Sequence, residues 1–141
     1  MRLIIVDANI LFSFFNPESF TRELIKSVYL KGGKLIIPEF ALEELFALKQ
    51  RICNFCQIDE SEFIISFALL SKILESIPLS EFKKFESKAL RLLPGHAKDM
   101  PYFALALASG CAIWSNEKRF KKQSEVEIFS TEEIKLLFDV K

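Results

Sequence analysis

MRLIIVDANILFSFF, residues 1–15, contains a short apolar run that ends abruptly on Asp7. The run, LIIV at residues 3–6, is continuously apolar and mostly β-branched, which is typical of a strand buried on both faces of a parallel sheet. A carboxylate directly after such a strand lies at the sheet edge where open α/β folds bind ligands. Because its surroundings are apolar, Asp7 requires hydrogen-bond donors, a basic residue or a cation. The stretch therefore predicts a parallel sheet with a site at Asp7.

The rest of the chain alternates short apolar strands with helical patterns. Strands are predicted at residues 34–37, 111–114 and 125–129, with a short extended piece at 76–79. Helices are predicted at 17–30, from 39 onward, and at 61–74, 80–92, 100–109 and 130–138. This alternation predicts a three-layer α/β/α sandwich with a short, mainly parallel central sheet. Because no linker, repeat or low-complexity tract interrupts the pattern, we expect residues 1–141 to form a single domain.

The composition narrows the class of protein. Half of the 141 residues are hydrophobic and 15 are Phe, which indicates a compact globular protein. Nineteen basic and nineteen acidic residues balance, so any polyanion must be bound by local clusters. Because no apolar run approaches the roughly 20 residues of a membrane span and no signal peptide is evident, we expect a cytoplasmic protein without a membrane partner. The three cysteines, an odd number, fit a reducing compartment.

Four carboxylates interrupt apolar segments. Asp7 and Glu117 each follow a predicted strand, so in a parallel sheet they emerge at the same edge. Glu44 is predicted on the apolar face of its helix, and Asp99 at the start of another apolar helix. If the four converge, mutual repulsion raises their pKa values unless a cation joins them, and all-oxygen ligands favour Mg²⁺ or Mn²⁺ over zinc. Such a site can activate water and neutralise charge on a phosphodiester.

Each of these acids also has a plain structural explanation. Asp7 and Asp99 are suitable helix caps by residue type, and Glu117 taken alone is typical of a solvated loop. Glu44 has the weakest such explanation, because its helix offers nothing polar beside it. The functional interpretation therefore depends on the conjunction of the four acids.

Four short motifs, in order along nearly the whole chain, resemble one protein family. They are DANIL at 7–11, PEFALEEL at 38–45, DMPYFALA at 99–106 and IWSNEK at 113–118. These segments resemble the PIN domain, a nuclease fold that includes the VapC-type toxins of prokaryotic toxin-antitoxin pairs. The resemblance implies metal-dependent hydrolysis of RNA, with Asp7, Glu44 and Asp99 as ligands of Mg²⁺ or Mn²⁺. It also implies a cognate antitoxin as partner.

The resemblance extends to neighbouring positions. The family more often has Asp at its fourth acidic position, so Glu117 is implied as either a direct or a water-mediated ligand. Ser115 matches a hydroxyl position that helps hold the first acid or the water. Asn9, within the first matching motif, is expected to hydrogen-bond within the same cluster.

Clusters of basic and aromatic residues predict contacts with RNA and with another protein chain. The basic run after Glu117 is predicted either to contact RNA phosphates or to form a solvated loop; it comprises Lys118, Arg119, Lys121 and Lys122. Phe residues in the first half exceed what one small core easily hides, so we expect an interface with a second copy or a partner helix. They are Phe12, Phe14, Phe15, Phe46, Phe55, Phe63 and Phe67.

Two further features are assigned no central role, and two rival functions stay open. Cys53 and Cys56 have zinc-like spacing but no second pair, so we expect semi-buried helix thiols, and His96 is a lone loop histidine. Glu117 in place of Asp, with the neutral net charge, leaves open a PIN-like module that binds RNA or protein without cutting. A phosphotransfer or phosphatase fold is disfavoured, because its further acidic and basic residues are missing.

Overall fold

The computed structural model describes residues 2–141, which contain one five-stranded sheet. Every strand pairing in it is parallel, which confirms the predicted α/β class. In chain order the strands are β1 (Leu3–Val6), β2 (Lys34–Pro38), β3 (Leu74–Ile77), β4 (Ala112–Trp114) and β5 (Ile128–Phe129). Their order across the sheet is β3-β2-β1-β4-β5, so β1 is central. Asp7 therefore lies at the middle of the sheet's carboxyl edge.

Helices cover both faces of the sheet. Along β1, Ile4 and Val6 belong to one buried cluster and Ile5 to the other, because successive side chains in a strand point to opposite faces. In chain order the helices are α1 (Ala8–Ser13), α2 (Phe20–Leu30), α3 (Ala41–Ala47), α4 (Lys49–Cys56), α5 (Glu60–Ile73), α6 (Glu86–Leu92), α7 (Met100–Ser109) and α8 (Thr131–Leu137). The first cluster packs α1 to α5 and α8, and the second packs α6 and α7. The three-layer sandwich is thus confirmed.

Local signals placed several helix ends correctly. The boxes at Asp59–Glu62 and Ser130–Glu133 start α5 and α8, and each pairs the cap side chain with the backbone of its third helical residue. Helix α2, however, starts three residues later than predicted, because the Ser19 hydroxyl caps it by accepting from the Thr21 N–H at 3.1 Å. None of the helices described in residues 2–141 is long and apolar enough to span a membrane.

Two further predicted elements were wrong in extent. The helix expected at 80–92 begins only at Glu86, because the buried Phe82 adopts a non-helical φ of −130° between two 3-10 turns. The strand expected at 125–129 is confined to Ile128–Phe129. The Gln123 side chain bonds the backbone N–H and C=O of Val126 at 2.8 Å each, which holds the preceding residues in a loop.

The helix predicted from residue 39 is broken into α3 and α4 at Leu48. Leu48 is 37% exposed, so the apolar stripe predicted through it does not continue into the core. Glu44 is exposed rather than buried on that stripe, which corrects the sequence prediction.

Candidate active site

A cavity of about 550 Å³ opens at the carboxyl edge of the sheet. All four acids that the sequence singled out line it, and each comes from a different part of the fold. Asp7 follows β1, Glu117 follows β4, Glu44 lies in α3 and Asp99 directly precedes α7. The structure thus brings the four carboxylates to one cavity, while their chemical roles stay predictions.

Asp7 is the most buried of these acids, with only 4% of its surface exposed. Its Oδ2 accepts from the Ser115 hydroxyl at 2.8 Å, and its Oδ1 accepts from the Ala8 N–H at 2.9 Å and so caps α1. Burial raises the pKa of Asp7, these two hydrogen bonds lower it, and the charges of Asp99 and Glu117 raise it further. The helix-cap explanation is therefore correct for one oxygen, whereas the other faces Ser115.

The loop after β4 is held by side-chain hydrogen bonds. The Ser115 hydroxyl that donates to Asp7 also accepts from the Glu117 N–H at 3.0 Å. Asn116 and Thr131 bond reciprocally: the Asn116 amide donates to the Thr131 hydroxyl at 2.9 Å, and the Thr131 N–H donates to the Asn116 carbonyl at 2.8 Å. These bonds fix the loop carrying Ser115 and Glu117 to the first turn of α8.

Arg119 lies between two acids of the cavity, Asp99 and Glu117. Its Nε donates to Glu117 Oε1 at 3.0 Å, its Nη2 lies 3.9 Å from Asp99 Oδ2, and its Nη1 contacts the imidazole of His96. Burial raises the pKa of Asp99 against the opposing charge of Arg119, while the hydrogen bonds from Arg119 lower the pKa of Glu117. From the sequence, Arg119 was expected either to contact RNA phosphates or to lie in a solvated loop; in the structure its guanidinium pairs with Glu117 and lies 3.9 Å from Asp99.

The remaining basic residues divide into two groups. Lys121 pairs with Glu133 of α8, so its ammonium is engaged outside the cavity. Lys118 and Lys122 are exposed and form no ion pair with any residue between 2 and 141. These two lysines are therefore available to an external anion.

Sequence reasoning assigned no role to Tyr102, although it lines the same cavity. Tyr102 is 4% exposed, and its hydroxyl has no hydrogen-bond partner among the described residues. Burial and the charges of Asp7, Glu44 and Asp99 raise the pKa of this phenol, so it keeps its proton. The available signal was its spacing, because a residue three positions after Asp99 at the start of a helix faces the same side.

Asn9 and Glu44 are less constrained. The Asn9 side chain lines the cavity but makes no hydrogen bond with residues 2–141, so the bond predicted within the acid cluster is not present. Glu44 is exposed and has no ion-pair partner in that range either. Both side chains can therefore rotate without breaking a hydrogen bond or an ion pair with the described residues.

The donors around the cavity fit a hard divalent cation in chemistry but are not gathered into a ligand set. The four acidic groups supply carboxylate oxygens, the donors that Mg²⁺ and Mn²⁺ prefer, and the basic residues Lys98 and Arg119 also line the cavity. Within residues 2–141, however, no three His, Cys, Asp or Glu side chains lie close enough together to hold a metal ion. A cation would therefore require side chains such as Glu44 to move inward and Arg119 to release Asp99.

The raised pKa of Asp7 predicts a pH dependence of stability in metal-free buffer. Folded Asp7 binds its proton more tightly than unfolded Asp7, whose pKa is about 3.8. The free energy of unfolding should therefore fall as pH rises from that value through the folded pKa. Asp7→Asn, which cannot ionise, should gain on the order of 1 kcal/mol over wild type at pH 7 and nothing below the unfolded pKa. Urea unfolding of both proteins with EDTA at several pH values tests this, and a variant less stable at pH 7 would contradict it.

The fold and the cavity define an α/β protein with an acidic site at the carboxyl edge of its parallel sheet. The family model described as PIN domain matches residues 5–139, nearly the whole chain. The chain therefore belongs to the PIN domain family. No curated protein sequence is significantly similar to it.

One similar solved structure is described as VapBC2 from Rickettsia felis bound to a DNA fragment from their promoter. The alignment covers 91% of this chain and 98% of that chain, with a TM-score of 0.67. At 16% sequence identity this similarity shows the fold alone.

Proposed function

We propose that the protein is a ribonuclease that hydrolyses RNA phosphodiester bonds at the acidic cavity, with Mg²⁺ or Mn²⁺ as cofactor. The observation that carries this proposal is the convergence of Asp7, Glu44, Asp99 and Glu117 on one cavity at the carboxyl edge of a PIN domain sheet. PIN domain proteins are typically nucleases that use divalent cations, which supports the same chemistry here.

The residues of the cavity have different roles in the proposed reaction. Asp7, Glu44 and Asp99 would hold the cation, and Glu117 would hold it directly or through water. A bound divalent cation would neutralise charge on the phosphodiester and lower the pKa of water. Ser115 orients Asp7 through its 2.8 Å hydrogen bond. In the overall hydrolysis, water oxygen bonds to phosphorus as a P–O ester bond breaks, and the departing ribose oxygen gains a proton.

The surface around the cavity supplies contacts to RNA. Lys118 and Lys122 are exposed and unpaired in residues 2–141, so they would bind phosphates flanking the scissile bond. Arg119, once released from Asp99, would reach the same backbone. Because these contacts are electrostatic, cleavage at low RNA concentration should weaken with added salt.

The partner proposed here is a cognate antitoxin, with the protein as the toxin of a VapBC-type pair. The similarity in fold to a chain of a VapBC2 structure supports this role. A homodimer is also proposed through Phe46, which is 45% exposed, whereas Phe14, Phe15 and Phe63 are buried in the core and Phe55, 76% exposed, lines a cavity beside the acidic one. Phe12 and Phe67 are half-buried at the edge of that core.

A second candidate is a PIN domain that binds RNA or a protein without cutting. It is favoured by the position of Arg119, which pairs with Glu117 and lies 3.9 Å from Asp99, and by the separation of the acids in the described residues. Metal uptake without turnover would distinguish it from the nuclease.

Cleavage of a labelled single-stranded RNA pool tests the proposed function. The purified protein should cut RNA with Mn²⁺ or Mg²⁺ and should stop when EDTA removes the metal, because the carboxylates alone cannot neutralise a phosphodiester. Single-stranded DNA of the same sequences serves as the comparison substrate. Cutting that persists in EDTA, or a folded protein that stays inactive with both metals, would contradict the proposal.

A further inference from the structure

A second cavity of about 340 Å³ lies beside the acidic one. The two share five lining residues, so they form a continuous surface along α1, α3 and α7. The shared residues are Ala8, Asn9, Glu44, Leu48 and Tyr102. An RNA strand whose phosphate occupies the acidic cavity would therefore place an adjacent nucleoside at the second one.

The second cavity is lined by apolar and aromatic groups where the first is acidic. Phe12 and Phe55 meet edge to face there, with ring centroids 5.6 Å apart, and Leu48 and Leu45 complete the apolar wall. The contact with Phe12 covers little of Phe55, which stays 76% exposed. A large aromatic side chain left open to water in a cavity is suited to stacking on a planar ligand.

Two polar side chains at this cavity are suited to bind the hydrogen-bonding edge of a base and the phosphate of a nucleotide. Arg51 lines it, is exposed, and forms no ion pair with residues 2–141, so its guanidinium can stack on a base or bind a phosphate. Asn9, whose amide has no intramolecular hydrogen bond in the same range, offers both a donor and an acceptor to a base edge.

We propose that Phe12, Phe55 and Arg51 form a subsite for one unpaired nucleobase of the RNA, next to the phosphate that the acidic cavity cleaves. This inference rests on the proposed ribonuclease function and specifies its substrate as single-stranded, because a base within a duplex cannot leave its stack to enter the cavity without a cost. An apolar side chain of a partner protein is the other occupant that such a wall could bind. The unpaired Arg51 and the continuity with the acidic cavity favour the nucleotide.

The test measures kcat/KM for a single-stranded RNA with one mapped cleavage site, in Mn²⁺. Phe55→Ala should lower kcat/KM about tenfold, mainly by raising KM, because base stacking on an aromatic ring is lost. Phe55→Trp should restore cleavage and Phe55→Leu should not, since leucine is apolar without a ring face. Phe55 is largely exposed, so these variants should fold. Tyr29→Ala, an exposed aromatic on α2 that lines neither cavity, is the matched control and should cleave as wild type does.

Abasic substrates identify the base. Removing bases one at a time near the cleavage site should reveal one position that costs wild type about tenfold in kcat/KM but costs Phe55→Ala nothing further. Wild-type cleavage with no effect of Phe55→Ala, or with additive effects of the two changes, would overturn the subsite and leave the ribonuclease intact. A wild-type protein that cuts no RNA would overturn both. Sedimentation showing that Phe55→Ala dissociates a dimer, with cleavage unchanged, would assign this surface to a second copy and also overturn the subsite.

Discussion

Asp99→Asn and Asp7→Asn are each expected to lower metal-dependent RNA cleavage by at least about 100-fold. Each change removes one negative charge from the cavity while keeping the shape of the side chain, so the loss would report charge rather than packing. The Asp7→Asn change also affects a hydrogen bond, because Asp7 Oδ2 accepts from the Ser115 hydroxyl. Burial of Asp7 raises the pKa of its carboxyl group. An asparagine can keep the bond to Ala8 but cannot hold a cation as a carboxylate does.

The control for these variants lies on the same helix as Glu44. Glu43→Gln also removes one negative charge from α3, but Glu43 is exposed and lines neither cavity. It should cleave at the wild-type rate if position, rather than net charge, governs the effect. Initial rates in Mn²⁺, with circular dichroism to verify folding, make the comparison. Full activity of either Asn variant would remove that residue from the catalytic site.

The sheet and its central acid could be predicted from sequence because their signals are local. The run at residues 3–6 identifies β1 by its β-branched composition, and the abrupt change to Asp7 marks the strand end. Parallel pairing then places Asp7 and Glu117 at one edge without knowledge of any contact. The capping boxes that start α5 and α8 are equally local, since each is closed within four residues.

Other features depend on contacts between residues far apart in sequence, which a pattern does not encode. Arg119 contacts Asp99 and His96 across two segments that are distant in sequence, and the hydrogen bonds between Asn116 and Thr131 join a loop to a helix. The break at Leu48 was missed because periodicity alone suggested one continuous helix. The exposure of Glu44, which lines the acidic cavity, was likewise not predicted from the apolar spacing around it.

The surroundings of the buried Tyr102 hydroxyl also could not be predicted from a sequence pattern. Helix α7 reads as apolar throughout, so its pattern accounts for the ring of Tyr102 but gives no partner for the hydroxyl. A buried hydroxyl without a hydrogen bond costs about 1–3 kcal/mol. Because Tyr102 lines the cavity that also contains Asp7, Glu44 and Asp99, we predict that its hydroxyl donates to a ligand bound there.

Tyr102→Phe should therefore change stability and activity in opposite directions. The free energy of unfolding should rise by about 1 kcal/mol, because the variant buries no unsatisfied donor. Cleavage should fall roughly 10- to 100-fold, because the hydroxyl keeps its proton and we expect it to donate to a phosphate oxygen of the bound RNA. Urea unfolding and initial cleavage rates in Mn²⁺ measure the two effects.

Tyr29→Phe separates this expectation from a general effect of removing a phenol. Tyr29 is 46% exposed on α2, so its hydroxyl is solvated in the folded protein and its loss should change neither stability nor cleavage. If Tyr102→Phe gains stability and cleaves RNA normally, the hydroxyl is a packing cost without a ligand. If it loses stability, the hydroxyl must have a partner, such as a buried water, that satisfies it in the free protein. Only the combination of greater stability and slower cleavage assigns the unpaired hydroxyl to the substrate.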